Sequence, residues 1–509
     1  MDLHVDRSGA IPLYQQIAQA IIEQVRLGRL APGDRLPPTR DLADQLDVTR
    51  STVIAAYQDL EARGRVASHV GKGTFVQGRP AGGASSQTAE DPTPASQAAG
   101  HRPVSREELR RLVRMMDRPG LISLASGIPA LDTFPVERLR RALDTVLKRQ
   151  GAAALQYDSP EGYWPLRERI AAYLDRLGAV VHPAEVLITS GTQQGAALVA
   201  RVLLRQGDVV LLDQPTYAGA LDAFEAAGAR PVGVPADDEG ILPEALDGLA
   251  RKLRPRLLYL VPACQGPAAR QLPADRRRRV LDLARQHGFT VVEDDSFREL
   301  RYAGRPEPPL RALDDSDHVI HLGSFSKTLA PGLRVGYVVA GGAWLDDLAE
   351  AKQTADLHTS TLIQRAVDVY LDSGDLEAQM RRTREVSGQR REAMMNALRR
   401  HLPPEVEWWE PEAGPFLWLR FPPDVTAVAA SVAAVERGVA FGIGAGFAPD
   451  RLDRGLARLN FAAHPPAEIE TAVARLGEAL ASLGLGPDQG ASSRGEGPAG
   501  SRRAGPTVL

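Results

Sequence analysis

The sequence predicts an α/β chain headed by a winged helix-turn-helix. Three observations carry that expectation. Apolar, strand-like runs alternate with helical stretches between Val186 and Val339, the pattern of a domain built on a mostly parallel sheet. Within the first 78 residues, helix signals separated by a tight turn are followed by a short glycine-rich hairpin. A hydroxyl- and glycine-rich turn bearing one lysine, Lys327, follows the apolar run from His318 to His321, where a strand should end. Ligands of open α/β sheets sit outside the carboxyl ends of the strands, so that lysine faces a pocket.

At 509 residues the chain has room for about three or four domains of ~150 residues. The single cysteine, Cys264, excludes an internal disulfide, and no N-terminal apolar stretch resembles a secretory signal. No run approaches the ~20 apolar residues of a membrane span. A cytoplasmic protein without membrane contact is expected. A formal net charge of -3 argues against nucleic-acid binding by the whole surface but leaves room for a local basic face.

From Pro12 to Leu27, Leu13, Ile17, Ile21 and Val25 recur at helical spacing up to a stop at Gly28. Thr39 can cap a helix to Leu46, and Thr49 a second one running to Arg63. The second helix of such a pair enters the major groove with its N-terminal residues, here Arg50, Ser51 and Thr52. Val53, Tyr57 and Leu60 share the opposite face and are expected in the core. The strands Arg65–Ser68 and Thr74–Val76 flank Gly71-Lys-Gly73, a wing whose Lys72 would meet a phosphate. Pro12-Leu-Tyr-Gln-Gln-Ile17, Leu30 to Arg40, Val48-Thr-Arg-Ser-Thr-Val53 and Gly71-Lys-Gly-Thr-Phe-Val76 together resemble the GntR-type winged helix. That resemblance implies a double-stranded DNA operator contacted by Arg40, Arg50, Ser51, Thr52 and Lys72.

Residues 79–105 are poor in large apolar side chains and read as a flexible linker, and 486–509 as a disordered tail. Between them, Ser190-Gly-Thr-Gln-Gln-Gly195 feeds a helix expected to start near Ala196, a phosphate cradle of backbone N–H groups. Lys327 can form a Schiff base with an aldehyde while Ser324, Ser326 and Arg334 hold phosphate oxygens, a combination that pyridoxal 5'-phosphate requires. Asp294, closing Thr-Val-Val-Glu-Asp, can pair with a protonated pyridine nitrogen. Tyr217 offers a ring to stack, and Arg458 a fork for a carboxylate. Each also has a plainer reading: a surface lysine, a strand-end cap, a core tyrosine.

Together these motifs resemble fold-type I aminotransferases, and a winged helix linked to such a domain resembles the MocR family of regulators. The resemblance implies a pyridoxal-phosphate-dependent transferase fold, with a large domain at 106–344 and a smaller C-terminal α+β domain at 345–485. It implies a Schiff base at Lys327, phosphate contacts from Thr192, Gln193, Ser324, Ser326 and Arg334, pairing by Asp294, stacking by Tyr217 and substrate binding by Arg458. It also implies a homodimer in which Tyr157 reaches the neighbouring subunit's cofactor phosphate, and no metal. The chain departs from the family pattern at Gly266 and Phe297, where an asparagine and a tyrosine that donate to the cofactor's phenolic oxygen are expected. Two functions follow: a regulator sensing pyridoxal phosphate or an amino compound, or a working aminotransferase acting on an amino acid.

Overall fold

The computed structural model describes residues 12–26, 34–62, 66–69, 73–76, 102–116, 118–264, 269 and 271–485. Contacts divide the chain into two compact units, Met1–Thr93 and Pro94–Leu509. The linker, the tail, Lys72 and Gly266 lie outside the described residues or largely so.

In the first unit, helices α1 (Leu13–Arg26), α2 (Thr39–Leu46) and α3 (Arg50–Ala62) precede a hairpin of β1 (Val66–His69) and β2 (Gly73–Val76). Ile17, Ile21, Leu42, Val53, Tyr57, Leu60, Val66 and Val76 form its core, so the α3 face expected to be buried is buried. Tyr57 donates to Pro37 O at 2.8 Å, satisfying its hydroxyl. One expected cap moves. Thr39 is the first helical residue and follows Pro38, whose fixed φ of -52° starts the helix without a side-chain cap. Thr49 does cap α3, accepting from Thr52 N at 3.4 Å.

The second unit is built on a seven-stranded sheet. In chain order its strands are β3 (Val186–Thr189), β4 (Val209–Leu212), β5 (Arg230–Gly233), β6 (Leu257–Leu260), β7 (Thr290–Asp294), β8 (Val319–Ser324) and β9 (Gly336–Val339). Their order across the sheet is β3-β9-β8-β7-β6-β4-β5, and only β9 runs antiparallel to its neighbours. Helices cover both faces, which is why these strands read as apolar runs rather than alternating ones. The helix after β3, Thr192–Leu203, begins earlier than the expected Ala196, because polar Thr-Gln-Gln forms its first turn. A second sheet of Glu407–Trp408, Phe416–Arg420, Leu456–Asn460 and Gly442–Ile443 is antiparallel throughout and packs with the helices Asp375–His401 and Pro466–Ala481. No helix among the described residues is long and apolar enough to cross a membrane.

β7 ends in buried acids whose side chains alternate between the sheet's faces. Glu293 accepts from Leu310 N at 2.7 Å and Arg311 N at 3.2 Å, lies 2.9 Å from His321 Nδ1 and 3.7 Å from Arg277 Nη1. Arg277, itself fully buried, donates to the carbonyls of Leu272, Pro262 and Pro308 and so pins two loops, the one after β6 and the one before β8. Burial raises the pKa of Glu293, but His321, Arg277 and Arg298 outweigh it and hold the carboxyl below the usual range. A depressed folded-state pKa means that this stabilisation is complete above the ordinary carboxylate range and is lost as pH falls through it. Glu293→Gln should therefore cost about 3–5 kcal/mol at neutral pH, with the gap to wild type closing below pH ~4.5, as measured by urea unfolding across pH.

Candidate functional site

A cavity of about 410 Å³ opens at the carboxyl ends of the strands. Its lining includes Thr192, Gln193, Tyr217, Asp294, Ser324, Ser326, Lys327, Arg334 and Arg458, which together are all the residues nominated from the sequence for cofactor and substrate except Tyr157. Tyr157 is apart from them, 76% exposed, its ring 5.6 Å from that of His358.

The antiparallel β9 explains the close quarters at one end. It carries Arg334 back beside the turn after β3, where the guanidinium donates to Ser190 O at 2.6 Å. Gly191 has φ +90°, and a Cβ there would stand 2.9 Å from Arg334 Nη2, so only glycine fits. The first N–H groups of the Thr192–Leu203 helix have no intrahelical acceptor and carry the positive end of its dipole. Ser324 Oγ accepts from Ser326 N at 3.0 Å, which shapes the facing turn. A cation, a helix N-terminus and three hydroxyls around one end of a cavity suit a phosphate dianion.

Lys327 Nζ lies beyond that end and donates to Gly127 O at 2.7 Å. Burial, helped by the positive charges of Arg458 and Arg334 and opposed by Asp294, lowers its pKa to about 8. Asp294 accepts from Tyr259 Oη at 2.8 Å, Ser296 Oγ at 2.5 Å and Ser296 N at 3.1 Å, and burial still raises its pKa. Tyr217 is tied down by a 2.8 Å hydrogen bond to Gln193 Oε1. Arg458 lies between the rings of Phe416 and Phe447, 4.0 and 4.1 Å from their centroids, and donates to Ala125 O at 3.1 Å. Its Nε is buried without a partner, and burial pushes its pKa down to about 9. A desolvated guanidinium with a donor to spare suits an incoming carboxylate. The donor set thus fits a group carrying a phosphate at one end, an aldehyde within reach of Lys327 and a basic ring nitrogen at Asp294.

Sequence reading missed several wall residues: Asp213 and Thr216, the carbonyl of Gly127, and the aromatic clamp Phe416, Trp418 and Phe447. Asp213 stood in the same Asp-Gln-Pro-Thr-Tyr run that drew attention to Tyr217; an acid closing an otherwise apolar strand was the available signal. In the first unit, Thr49 Oγ1 lies 2.8 Å from both Ser51 Oγ and Thr52 Oγ1, while Arg50 Nε donates to Thr39 Oγ1 at 3.3 Å. Arg40, Arg50 and Ser51 are exposed and Thr52 partly so.

Residues 119–476 match the family model for aminotransferase class I and II, and residues 13–76 that for bacterial regulatory proteins of the gntR family. A 2-aminoadipate transaminase of Thermus thermophilus is 40% identical over 74% of this chain and 94% of its own length. The "Probable rhizopine catabolism regulatory protein MocR" of Rhizobium meliloti is 31% identical over 82% of this chain and 84% of its own. Among solved structures, the α-aminoadipate aminotransferase LysN of Thermus thermophilus, complexed with N-(5'-phosphopyridoxyl)-L-leucine, superposes with a TM-score of 0.69 at 38% identity, over 76% of this chain and 97% of that one.

A lysine of depressed pKa should react as a free amine where ordinary lysines are still protonated. Competitive acylation of the protein without cofactor, followed by peptide mapping, should place half-reaction of Lys327 near pH 8, against ~10.4 for solvent-exposed lysines.

Proposed function

Since the chain belongs to the aminotransferase class I and II family and carries a gntR-family module, we propose that it is a MocR-type transcription regulator that senses pyridoxal phosphate, an amino compound, or both. The observation that carries this reading is the presence in one chain of a helix-turn-helix and a cavity with a desolvated lysine, a buried acid and a desolvated arginine. Residues 1–78 are the DNA-binding head, 79–105 the linker, 106–344 and 345–485 the two parts of the sensing body, and 486–509 a tail. The working form is a homodimer, in which Tyr157 of each subunit serves the other's cofactor.

Pyridoxal phosphate, when bound, supplies an aldehyde for amines and a ring that draws electrons away from the carbon they carry. Thr192, Gln193, Ser324, Ser326 and Arg334 hold its phosphate. Lys327 Nζ holds its aldehyde carbon, and Tyr217 lies against the ring. Asp294, buried and reached by three hydrogen-bond donors but by no ion-pairing cation among the described residues, keeps a proton on the ring nitrogen. Arg458 binds the carboxylate of an incoming amino compound. A second cavity of about 820 Å³ shares Ala218 and Phe447 with the first and leaves room for the rest of that molecule. Regulation then requires that the amino compound bind two arrangements of the dimer unequally, which changes how the two heads meet the operator.

An aminotransferase is the second reading, favoured by the convergence of Lys327, Asp294 and Arg458 on one cavity: Lys327 Nζ, freed, would move the proton at the amino acid's α-carbon. Absorbance spectra with candidate amines separate the two. A stable spectral change that alters operator affinity supports sensing; keto-acid release with conversion of the cofactor to its amine form supports catalysis.

Borohydride reduction of the cofactor-loaded protein should leave one pyridoxyl adduct, on Lys327, and none in Lys327→Ala; mass spectrometry of peptides reads this. Arg50→Ala should weaken operator binding by about 5- to 150-fold, a loss of ~1–3 kcal/mol, measured by fluorescence anisotropy at fixed salt.

A further inference from the structure

The cavity wall formed by the ends of β6 and β4, on the far side of Asp294 from the Gly191 turn, contains an acid that meets neither the phosphate end nor the ring-nitrogen position. Asp213 follows β4 directly, is 2% exposed and lines the cavity. Its Oδ2 accepts from Val261 N at 3.2 Å, which fixes the carboxyl against the end of β6. Its Oδ1 and the hydroxyl of its neighbour Thr216 are buried, with no hydrogen-bond partner beyond the contact between them. Among the described residues the others on this wall are Val261, Cys264, Ala269 and Phe297, and Cys264 already gives its Sγ to Ala413 O. Burial pushes the pKa of Asp213 up to about 7; Thr216 and the Val261 N–H pull it down, and Asp294 adds to the rise. An acid in that range carries a proton to give.

The ring's own substitution pattern indicates what meets this wall. In pyridoxal phosphate the phosphate arm and the methyl group are on opposite sides of the ring, and the phenolic oxygen lies between the methyl group and the aldehyde. With the phosphate at Gly191 and Arg334, the nitrogen at Asp294 and the aldehyde at Lys327, the edge bearing methyl and oxygen turns to β6 and β4. A phenolic oxygen buried there without a donor would bear the full cost of desolvation.

We propose that Asp213, as a carboxylic acid, donates a hydrogen bond from Oδ1 to the phenolic oxygen of the bound cofactor, with Thr216 beside it. The proposal rests on the cofactor reading of this cavity. It gives the site a donor on a wall where the expected tyrosine is replaced by Phe297, and it trades a neutral donor of fixed protonation for one that can lose its proton.

The test compares binding of pyridoxal phosphate and of 3-deoxypyridoxal 5'-phosphate, which lacks the oxygen, to the full-length protein by absorbance titration. Wild type should prefer pyridoxal phosphate by about 10-fold; Asp213→Leu and Asp213→Ala should lose that preference, and Asp213→Asn, whose amide still donates, should keep it within about 3-fold. An unchanged preference in the leucine or alanine variant overturns the proposal. So does a preference in Asp213→Asn that rises above wild type, the sign of an ionised carboxylate repelling the oxygen; that arm decides the matter even where the apolar variants do not fold. Failure of both compounds to bind wild type would instead remove the cofactor reading itself.

Discussion

The burial of consecutive acids at the end of one central strand constrains everything around it. A strand turns adjacent side chains to opposite faces, so Glu293 and Asp294 cannot share partners. Glu293 is met by Arg277, His321 and two backbone N–H groups, a closed network whose members also bind the loops after β6 and before β8. Asp294, on the cavity side, receives among the described residues two hydroxyls and one N–H. The structure thus spends its cations on the acid that holds the fold and leaves the neighbouring acid electrostatically incomplete, which is the state a site needs before a cationic ring nitrogen arrives.

The same incompleteness recurs around the cavity. Lys327 and Arg458 are both desolvated, and the charge of Arg458 further lowers the tendency of Lys327 to stay protonated. Lys327, Arg458, Asp294 and Asp213, all displaced from their ordinary behaviour in one concavity, mark a place built to bind charge, whether or not turnover follows. Binding and catalysis draw on the same residues here, so the regulator and the aminotransferase differ less in what the pocket contains than in what the bound amine does next. The gntR-family module tilts the balance, because a transaminase needs no helix-turn-helix.

Much of this was legible beforehand. The sheet was readable because strands covered on both faces appear as uninterrupted apolar runs, and the turn at Ser190–Gly195 because a glycine there precedes a helix; in the fold Gly191 has φ +90° and faces Arg334. What escaped the sequence depends on distant pairing. That Arg277 is buried is invisible in Ala274–His287, a helix of many arginines, until three loop carbonyls converge on it. The Phe416 and Phe447 clamp on Arg458 joins residues far apart in the chain, and nothing local distinguishes those rings from core aromatics. Thr39 went the other way: its type suggested a cap, and the backbone of the preceding proline made one unnecessary.

Asp213 shows why such misses fall at the site. An acid at the end of an apolar strand costs several kcal/mol to bury in charged form, and a fold with no use for it would tend to replace it with a hydrophobe. Here the group is present, half satisfied by Val261 N, on a wall whose other described residues are apolar apart from Thr216 and the engaged thiol of Cys264. Local rules of burial are broken most economically where a ligand completes them, so an unsatisfied buried oxygen facing a cavity is better evidence of what the cavity holds than any single matched motif. By that measure Asp213 Oδ1 and Arg458 Nε, buried polar atoms of two residues at separate points of the same lining, are where a ligand would complete what the fold leaves open: an acid on one side and a guanidinium on the other.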